Sequence, residues 1–176
     1  MALYPLRLVK GHVFMEIGGK FWLVDTGAPS SFGAQESVVL EGKTFPLGES
    51  FLGMTVGELE GYVGVECAGL LGADVLAEFN FVFDLPEERA EVSESDLALD
   101  GVEVGIDFFM GVPLVDAVVR GRQRRMFFDT GAQISYLQSG EFESFPLTGT
   151  FADFYPGYGK FQTEARMVEV SLGGLA

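Results

Sequence analysis

The sequence carries one short motif twice, and this repeat constrains the possible folds more than any other feature. Residues 20–28 run from a lysine through an apolar stretch into Asp-Thr-Gly-Ala, and residues 125–132 run from an arginine into the same four residues. Corresponding positions, such as Asp25 and Asp129, lie 104 residues apart. Because a recurring pattern indicates one structural unit used twice, we expect two similar halves, residues 1–92 and 93–176.

Each copy of the motif follows a segment that is typical of a β-hairpin. Residues 13–17 precede a Gly-Gly turn in the first copy, and residues 115–119 precede a turn at Gly121 in the second. Apolar runs separated by glycine-rich turns predict strands, and further strand pairs are expected at 48–65 and 148–163. The chain has 24 glycines and 17 phenylalanines, which favours strands and turns over long helices. An all-β fold is therefore predicted.

The two halves differ in their final segments. In the first half, Gly-Leu-Leu-Gly at 69–72 predicts a buried strand, followed by a short helix from Ala73 or Asp74. The corresponding place in the second half holds Gly-Gly-Leu-Ala at 173–176. We therefore expect the second half to be incomplete, as in a piece of a longer protein. A homodimer is expected in that case, since a second copy would cover the open strand edge.

The two aspartates suit the hydrolysis of an amide bond by water. An ionised carboxylate can take a proton from water while a protonated carboxyl donates to the carbonyl oxygen. Two carboxyl groups in contact cannot both ionise at low cost, so such a pair shares one proton. Asp25 and Asp129 are thus the candidate catalytic residues.

The residues after each aspartate suit a crowded turn between the halves. Glycine allows backbone N–H groups to approach a carboxylate, because it has no Cβ. The threonine hydroxyls can hydrogen-bond across to the opposite copy, and alanine is small enough for a crowded interface. These supporting residues are Thr26, Gly27, Ala28, Thr130, Gly131 and Ala132.

Both Asp-Thr-Gly-Ala segments resemble the active-site signature of aspartic proteases of the pepsin and retropepsin type. Alanine in the fourth position is more similar to retropepsins, whereas duplication within one chain is similar to pepsins. Residues 69–74 resemble the hydrophobic-hydrophobic-Gly element that passes behind the catalytic loop in this family. The resemblance implies an all-β, bilobal fold with closed-barrel lobes and pseudo-two-fold symmetry. We expect neither a cofactor nor a metal, and the single histidine excludes a multi-histidine metal site.

The resemblance also implies a substrate and the parts that hold it. Proteases of this family bind an extended peptide or protein segment beneath a β-hairpin flap. The equivalent flap residues would be Met54 and Thr55 in the first half, and Tyr155 and Tyr158 in the second. The implied activity is that of an aspartic endopeptidase.

Composition argues against several other classes of partner. The net charge is −15, from 26 acidic and 11 basic residues, so nucleic acid and anionic membranes are disfavoured. The acids are dense between Asp84 and Asp107, which we interpret as a solvated connector. No apolar run is long enough to span a bilayer. The N-terminus lacks a secretory signal pattern and one cysteine allows no intrachain disulfide, so a cytoplasmic protein is expected.

Two residues with catalytic potential are better explained by ordinary structural roles. His12 is the single histidine, which excludes a Ser-His-Asp site, and its position beside Gly11 favours the surface. Cys67 adjoins an apolar run and is expected to be buried and inert.

Two alternative functions stay open at this point. The first is a catalytically silent, retropepsin-like module that binds extended peptides or dimerises. The second is a glycosidase that uses a pair of carboxylates. The repeat argues against the glycosidase, because its acid and base need different environments and here both would lie on identical motifs.

Overall fold

The computed structural model describes residues 2–137 and 140–175. Strands make up 50% of the chain and helices 9%, so the predicted all-β class is confirmed. The strands are β1 Ala2–Val9, β2 His12–Ile17, β3 Lys20–Val24, β4 Phe32–Gly33, β5 Ser37–Leu40, β6 Lys43–Pro46, β7 Ser50–Phe51, β8 Met54–Thr55, β9 Gly69–Leu71, β10 Asn80–Asp84, β11 Arg89–Ser93, β12 Ile106–Phe109, β13 Val112–Val119, β14 Arg122–Phe127, β15 Leu147–Tyr155, β16 Gly159–Arg166 and β17 Val170–Leu172. The helices are α1 Val56–Val63 and α2 Ala73–Leu76, with a 3₁₀ turn at Gly140–Phe142.

The first half forms a seven-stranded sheet in the order β10-β11-β1-β2-β3-β9-β4. Tight turns at Lys10-Gly11 and Gly18-Gly19 have positive φ angles, as two-residue hairpin turns require. They make β1, β2 and β3 antiparallel neighbours. The beginning of β1 pairs with β11 and its end pairs with β2, so this strand joins the outer hairpin to the centre of the sheet.

The core lies on both faces of β3. Trp22 and Val24 belong to one buried cluster, and Leu23 belongs to a second one. Successive side chains of a strand point to opposite faces, and all three of these residues are at most 1% exposed. Burial on both faces explains why the segment is a continuous apolar run rather than an alternating one.

Strand β9 lies parallel to β3, so that Trp22 is opposite Gly69 and Val24 is opposite Leu71. Gly69 has a φ of +152°, and a Cβ there would lie 2.2 Å from the carbonyl oxygen of Phe32. Only glycine fits so close an approach. Helix α2 begins directly afterwards at Ala73, which confirms the predicted strand and short helix.

Residues 56–63 form a helix, which corrects the strand pair expected over 48–65. The structure has only the short hairpin β7–β8 before α1 begins. Thr55 and Glu58 form a capping box, and Leu59 and Val63 are buried on one face. The capping residues and the four-residue spacing of the apolar positions are helical signals in the sequence.

The second half forms a smaller and more exposed sheet. Strand β13 pairs with β14 along one edge and with β12 and β17 along the other. The turn predicted before the second motif lies at Arg120-Gly121. The three arginines that follow it, Arg122, Arg124 and Arg125, belong to β14. Strands β15 and β16 pair only with each other among the described residues and form a long hairpin.

Closed barrels are not found among the described residues, in contrast to the expectation. No strand within 2–137 or 140–175 pairs with the outer edge of β14, which is the position that β9 takes beside β3. Leu175 instead folds back to bridge with Leu172, so the counterpart of Gly-Leu-Leu-Gly is a turn; Ala176 lies outside the described residues. A barrel requires every edge strand to find a neighbour, so both sheets are open.

The acidic region contains the connection between the two sheets. Residues 94–105 carry no helix or strand, and most of them are exposed, as expected for a solvated connector. Within the described ranges, no helix has the length and apolar character needed to cross a membrane.

Candidate active site

The two motif aspartates follow strands at the centre of each half. Asp25 comes directly after β3, and its backbone N–H donates to the Leu71 carbonyl oxygen at 3.0 Å. Asp129 follows β14, where the Phe128 N–H donates to the Pro113 carbonyl oxygen at 2.9 Å. Asp25 is thus bonded directly to the strand next to its own, and Asp129 follows a residue that is.

The carboxyl groups of Asp25 and Asp129 lie close enough to each other for their hydrogen-bonding and charge interactions to raise the pKa of Asp25. Each one also accepts two backbone N–H groups of its own loop. Oδ1 of Asp25 accepts from Gly27 at 2.9 Å and Ala28 at 3.0 Å. Oδ1 of Asp129 accepts from Gly131 at 2.9 Å and from the following alanine, Ala132, at 3.2 Å. These bonds fix both carboxyl groups in matching orientations.

The glycine of each motif packs against the carboxyl group of the other motif. A Cβ on Gly27 would lie 2.3 Å from Cγ of Asp129, and a Cβ on Gly131 would lie 2.4 Å from Cγ of Asp25. These distances are far below van der Waals contact. The close approach of the two carboxyl groups therefore depends on glycine at both positions.

The two threonines join the loops through reciprocal hydrogen bonds. The Thr26 N–H donates to Oγ1 of Thr130 at 3.1 Å, and the Thr130 N–H donates to Oγ1 of Thr26 at 3.1 Å. The hydroxyl of Thr26 donates to the Phe128 carbonyl oxygen at 2.5 Å, and that of Thr130 donates to the Val24 carbonyl oxygen at 2.7 Å. Every hydroxyl acts as both donor and acceptor, so the four bonds form a symmetric clamp between the halves.

Thr130→Val is expected to weaken this clamp while preserving the shape of the side chain. The substitution removes the acceptor for the Thr26 N–H and the donor for the Val24 carbonyl oxygen. The expected loss is about 1–3 kcal/mol in the free energy of unfolding, because both groups lose a partner. Urea denaturation measures this change. Thr44→Val on the exposed face of β6 is the matched control, and an equal loss there would contradict a special role for Thr130.

The environment favours one retained proton on the pair. Burial, together with the adjacent charge of Asp129 and the hydrogen bond between the two groups, raises the pKa of Asp25 to about 7. Removing water disfavours the charged form, and a neighbouring carboxylate disfavours it further. The pair therefore exchanges its second proton near neutral pH, with the two groups acting as one unit.

A cleft of about 1110 Å³ opens above the two carboxyl groups. Its lining is mainly apolar and aromatic and includes Phe51, Leu70, Phe154 and Phe161. Such a lining with two convergent carboxyl groups is typical of a ligand-binding site.

Two hairpin tips lie over this cleft. The turn between β7 and β8 carries Leu52, and the turn between β15 and β16 carries Gly157. These tips adjoin each other, since a Cβ built on Gly157 would lie 3.8 Å from Cβ of Leu52. Tyr62 of α1 stacks on Phe154 at 4.6 Å between ring centroids, which anchors the longer hairpin to the first half.

The four expected flap residues fall in different places. Met54 is buried at 4% exposure and lines the cleft. Tyr155 and Tyr158 also line the cleft and are 64% and 76% exposed. Thr55 is not among the described lining residues; it is the N-cap of α1 and contacts Glu58. Three of the four therefore meet at the cleft, and the fourth stabilises a helix.

The sequence analysis assigned no role in the site to three residues near the cleft: Tyr136, Asp153 and His12. Tyr136 lines the cleft and donates a hydrogen bond to Asp153 of the β15–β16 hairpin. His12 is buried at 1% exposure, which corrects the expected surface position, and contacts the second motif loop. These contacts join segments that are distant in the sequence, so local patterns could not predict them. The one feature of the sequence that could have drawn attention to His12 is that it is the single histidine.

Two other groups bear on the chemistry. Cys67 is buried as expected, and burial raises the pKa of its thiol to about 11, so a thiolate nucleophile is disfavoured. Among residues 2–137 and 140–175, no cluster of three or more metal-ligating side chains is present.

Comparison of the chain with models of protein families, with curated proteins and with solved structures finds no match.

Proposed function

We propose that this protein is an aspartic endopeptidase with Asp25 and Asp129 as its catalytic pair. One observation carries the proposal: two carboxyl groups from one chain approach each other closely and interact beneath a peptide-sized apolar cleft. Two carboxyl groups in contact cannot both ionise at low cost, so they share a proton. General acid–base hydrolysis needs that arrangement, in which one group accepts and the other donates.

The reaction proceeds by attack of water on the amide. The ionised carboxyl takes a proton from water, whose oxygen bonds to the carbonyl carbon while the protonated carboxyl donates to the carbonyl oxygen. The resulting tetrahedral diol then loses the amine. The carboxyl that took the proton from water gives it to nitrogen, the other carboxylate takes a proton from one hydroxyl of the diol, and the C–N bond breaks as the carboxylic acid forms. The pair returns to its state with one shared proton. No cofactor or metal takes part in this scheme.

An extended peptide or protein segment is the proposed substrate. The cleft presents aromatic and aliphatic side chains between two hairpin tips, so apolar residues on either side of the cleaved bond would bury surface there. The net charge of −15 disfavours phosphate-rich partners. A cytoplasmic location belongs to the same proposal. A chain with one cysteine forms no intrachain disulfide, so its folding needs no oxidising compartment.

A pseudo-two-fold, bilobal organisation of the pepsin/retropepsin type, with lobes 1–92 and 93–176, is part of the proposal. The reciprocal threonine bonds and the matching carboxyl contacts support it. Both aspartates come from one chain, so the catalytic pair requires no second copy. A homodimer would instead cover the edge of β14 that pairs with no described strand.

A catalytically silent peptide-binding module is the second candidate. The observation in its favour is the exposure of the second half, where Phe127 and Phe128 are 55% and 45% exposed. An open sheet of this kind suits β-strand addition by a partner. Such a module would bind unfolded segments but leave them intact.

Cleavage of a denatured protein mixture tests the proposal. We expect internal cleavage at acidic pH, with a rate that falls as pH rises past about 7, because the pair then loses its shared proton. Mass spectrometry of the new termini measures cleavage, and the rate is followed from pH 3 to 9.

The outcomes separate the two candidates. Binding of unfolded protein without new termini at any pH would favour the silent module. A rate that rises steadily into alkali would contradict shared-proton chemistry, since the doubly ionised pair has no proton to donate.

A further inference from the structure

The two motif loops are anchored by different means. The first loop is held by the segment from β9 to α2: the Ala73 N–H donates to the Ala28 carbonyl oxygen at 2.8 Å. Asp74 also accepts from the Ser31 hydroxyl at 2.6 Å and from the Ser31 N–H at 2.9 Å. No corresponding segment packs behind the second loop among the described residues. The second loop therefore needs another support.

His12 contacts the second loop from the first half of the chain. It lies at the start of β2 and is 1% exposed. Its Nδ1 is 2.9 Å from the Gly131 carbonyl oxygen, and its Nε2 is 3.0 Å from the side-chain nitrogen of Gln133. A carbonyl oxygen can only accept, so Nδ1 carries the proton; Nε2 then accepts from the Gln133 amide.

We propose that neutral His12, protonated on Nδ1, is the positioning residue that holds the Asp129 loop against Asp25. The inference rests on the proposed function, because it assigns a role within that site. His12 does not touch the carboxyl groups and acts through the Gly131 peptide.

The geometry makes Gly131 an effective point of attachment. Its N–H donates to Oδ1 of Asp129 at 2.9 Å, and a Cβ on it would lie 2.4 Å from Cγ of Asp25. Fixing its carbonyl oxygen therefore fixes both carboxyl groups relative to each other. Misplacement of reacting groups by about 1 Å can cost a hundredfold in rate.

The surroundings favour the neutral ring. Burial lowers the pKa of His12, which outweighs the opposing effects of its bond to Gly131 and of the charges of Asp153 and Asp129; Lys10 acts in the same direction as burial. The contact is also not repeated in the other half. The corresponding residue there is Val112, which follows the turn at Gly111 and begins β13 as His12 follows Gly11 and begins β2, and its side chain cannot form a hydrogen bond. His12 thus supplies a support that is specific to the Asp129 loop.

Three variants test the assignment by kinetics. His12→Phe removes both polar contacts but keeps a ring, and we expect kcat to fall about tenfold to a hundredfold with KM little changed. His12→Asn keeps an N–H near the position of Nδ1, and should recover most of kcat. Val92→Ala, at a fully buried site in β11, is a control for lost stability and should leave kcat unchanged in the folded fraction.

Nuclear magnetic resonance tests the same assignment without requiring activity. The chain has one histidine, so its imidazole ¹⁵N signals need no further assignment, and we expect the neutral form with the proton on Nδ1. In ¹³C-labelled protein, His12→Phe should also lower the upper apparent pKa of the carboxyl pair, because a released Asp129 loop no longer crowds Asp25.

The outcomes distinguish failure of this inference from failure of the proposed function. One outcome is that the wild-type protein shows no cleavage, while the ring has the expected tautomer and His12→Phe lowers the upper apparent pKa of the carboxyl pair. That outcome would contradict the endopeptidase proposal and support the positioning role of His12. The inference is overturned if His12→Phe leaves both kcat and the carboxyl titration at wild-type values, or if the ring carries its proton on Nε2.

Discussion

Asp25→Asn is expected to lower kcat by about a thousandfold or more while leaving the fold intact. The amide retains the shape of the carboxyl group and can still hydrogen-bond to Asp129, but it cannot exchange the shared proton. General acid–base catalysis contributes about 10²–10⁴ in rate, and the pair acts as one unit. Asp129→Asn should therefore be similarly impaired, and the double variant should be little worse than either single one. Steady-state kinetics on a peptide from the cleavage assay measures this.

Although Asp25→Asn lowers activity, it should preserve or raise the stability of the folded protein above neutral pH. The pKa of Asp25 is raised to about 7 in the folded protein, so the proton is held more tightly than in the unfolded chain. The stabilisation that this proton gives to the folded protein is fully present below the ordinary pKa of aspartate. It is lost as pH rises through about 7, the pKa of Asp25 in the folded state. Asp25→Asn escapes this loss, so at pH 8 its melting temperature should equal or exceed that of wild type. Full activity in a well-folded Asp25→Asn protein would refute the catalytic pair.

Gly69→Ala is expected to destabilise the protein by about 2–6 kcal/mol, since strained backbone and overpacking each cost about 1–3 kcal/mol. The φ of +152° disfavours any side chain, and the new Cβ would lie 2.2 Å from the Phe32 carbonyl oxygen and 2.9 Å from the Trp22 ring. Neither backbone nor buried tryptophan can move far in a packed core. Chemical denaturation followed by tryptophan fluorescence measures the effect, as Trp22 is the single tryptophan.

Gly57→Ala is the matched control for that substitution. Gly57 lies inside α1, and a Cβ there would meet nothing within 4 Å. The same chemical change should therefore raise stability by about 0.5–1 kcal/mol, because alanine is the better helix former. Equal destabilisation by both substitutions would show that the crowding at Gly69 is not the cause.

The duplicated motif allowed the central strands of both halves to be predicted. Each apolar run before Asp-Thr-Gly-Ala is a strand, and Gly-Leu-Leu-Gly is a strand followed by a short helix. These predictions depended on local patterns, in which strand and turn residues alternate over a few positions. Helix α1 was missed although its capping box and apolar spacing were present, because the glycines around it suggested a strand pair.

The support behind each loop could not be predicted from local patterns. Comparison of the two halves of the sequence predicted that the second half lacks a counterpart of β9. It did not predict which residue supports the second motif loop in place of that strand. His12 was expected at the surface because glycine precedes it, yet it is buried against a loop 119 residues away. Its burial depends on how the halves pack, and packing is a property of the folded chain.

The sequence alone determined the all-β class, the two acidic turns and the burial of Cys67, since composition and short-range periodicity govern these. Only the tertiary structure decided that the two carboxyl groups meet, that Thr55 caps a helix instead of lining the cleft, and that both sheets are open among the described residues. Bonds between groups 104 residues apart leave no mark on local sequence, because they form only when independent segments meet in the folded core.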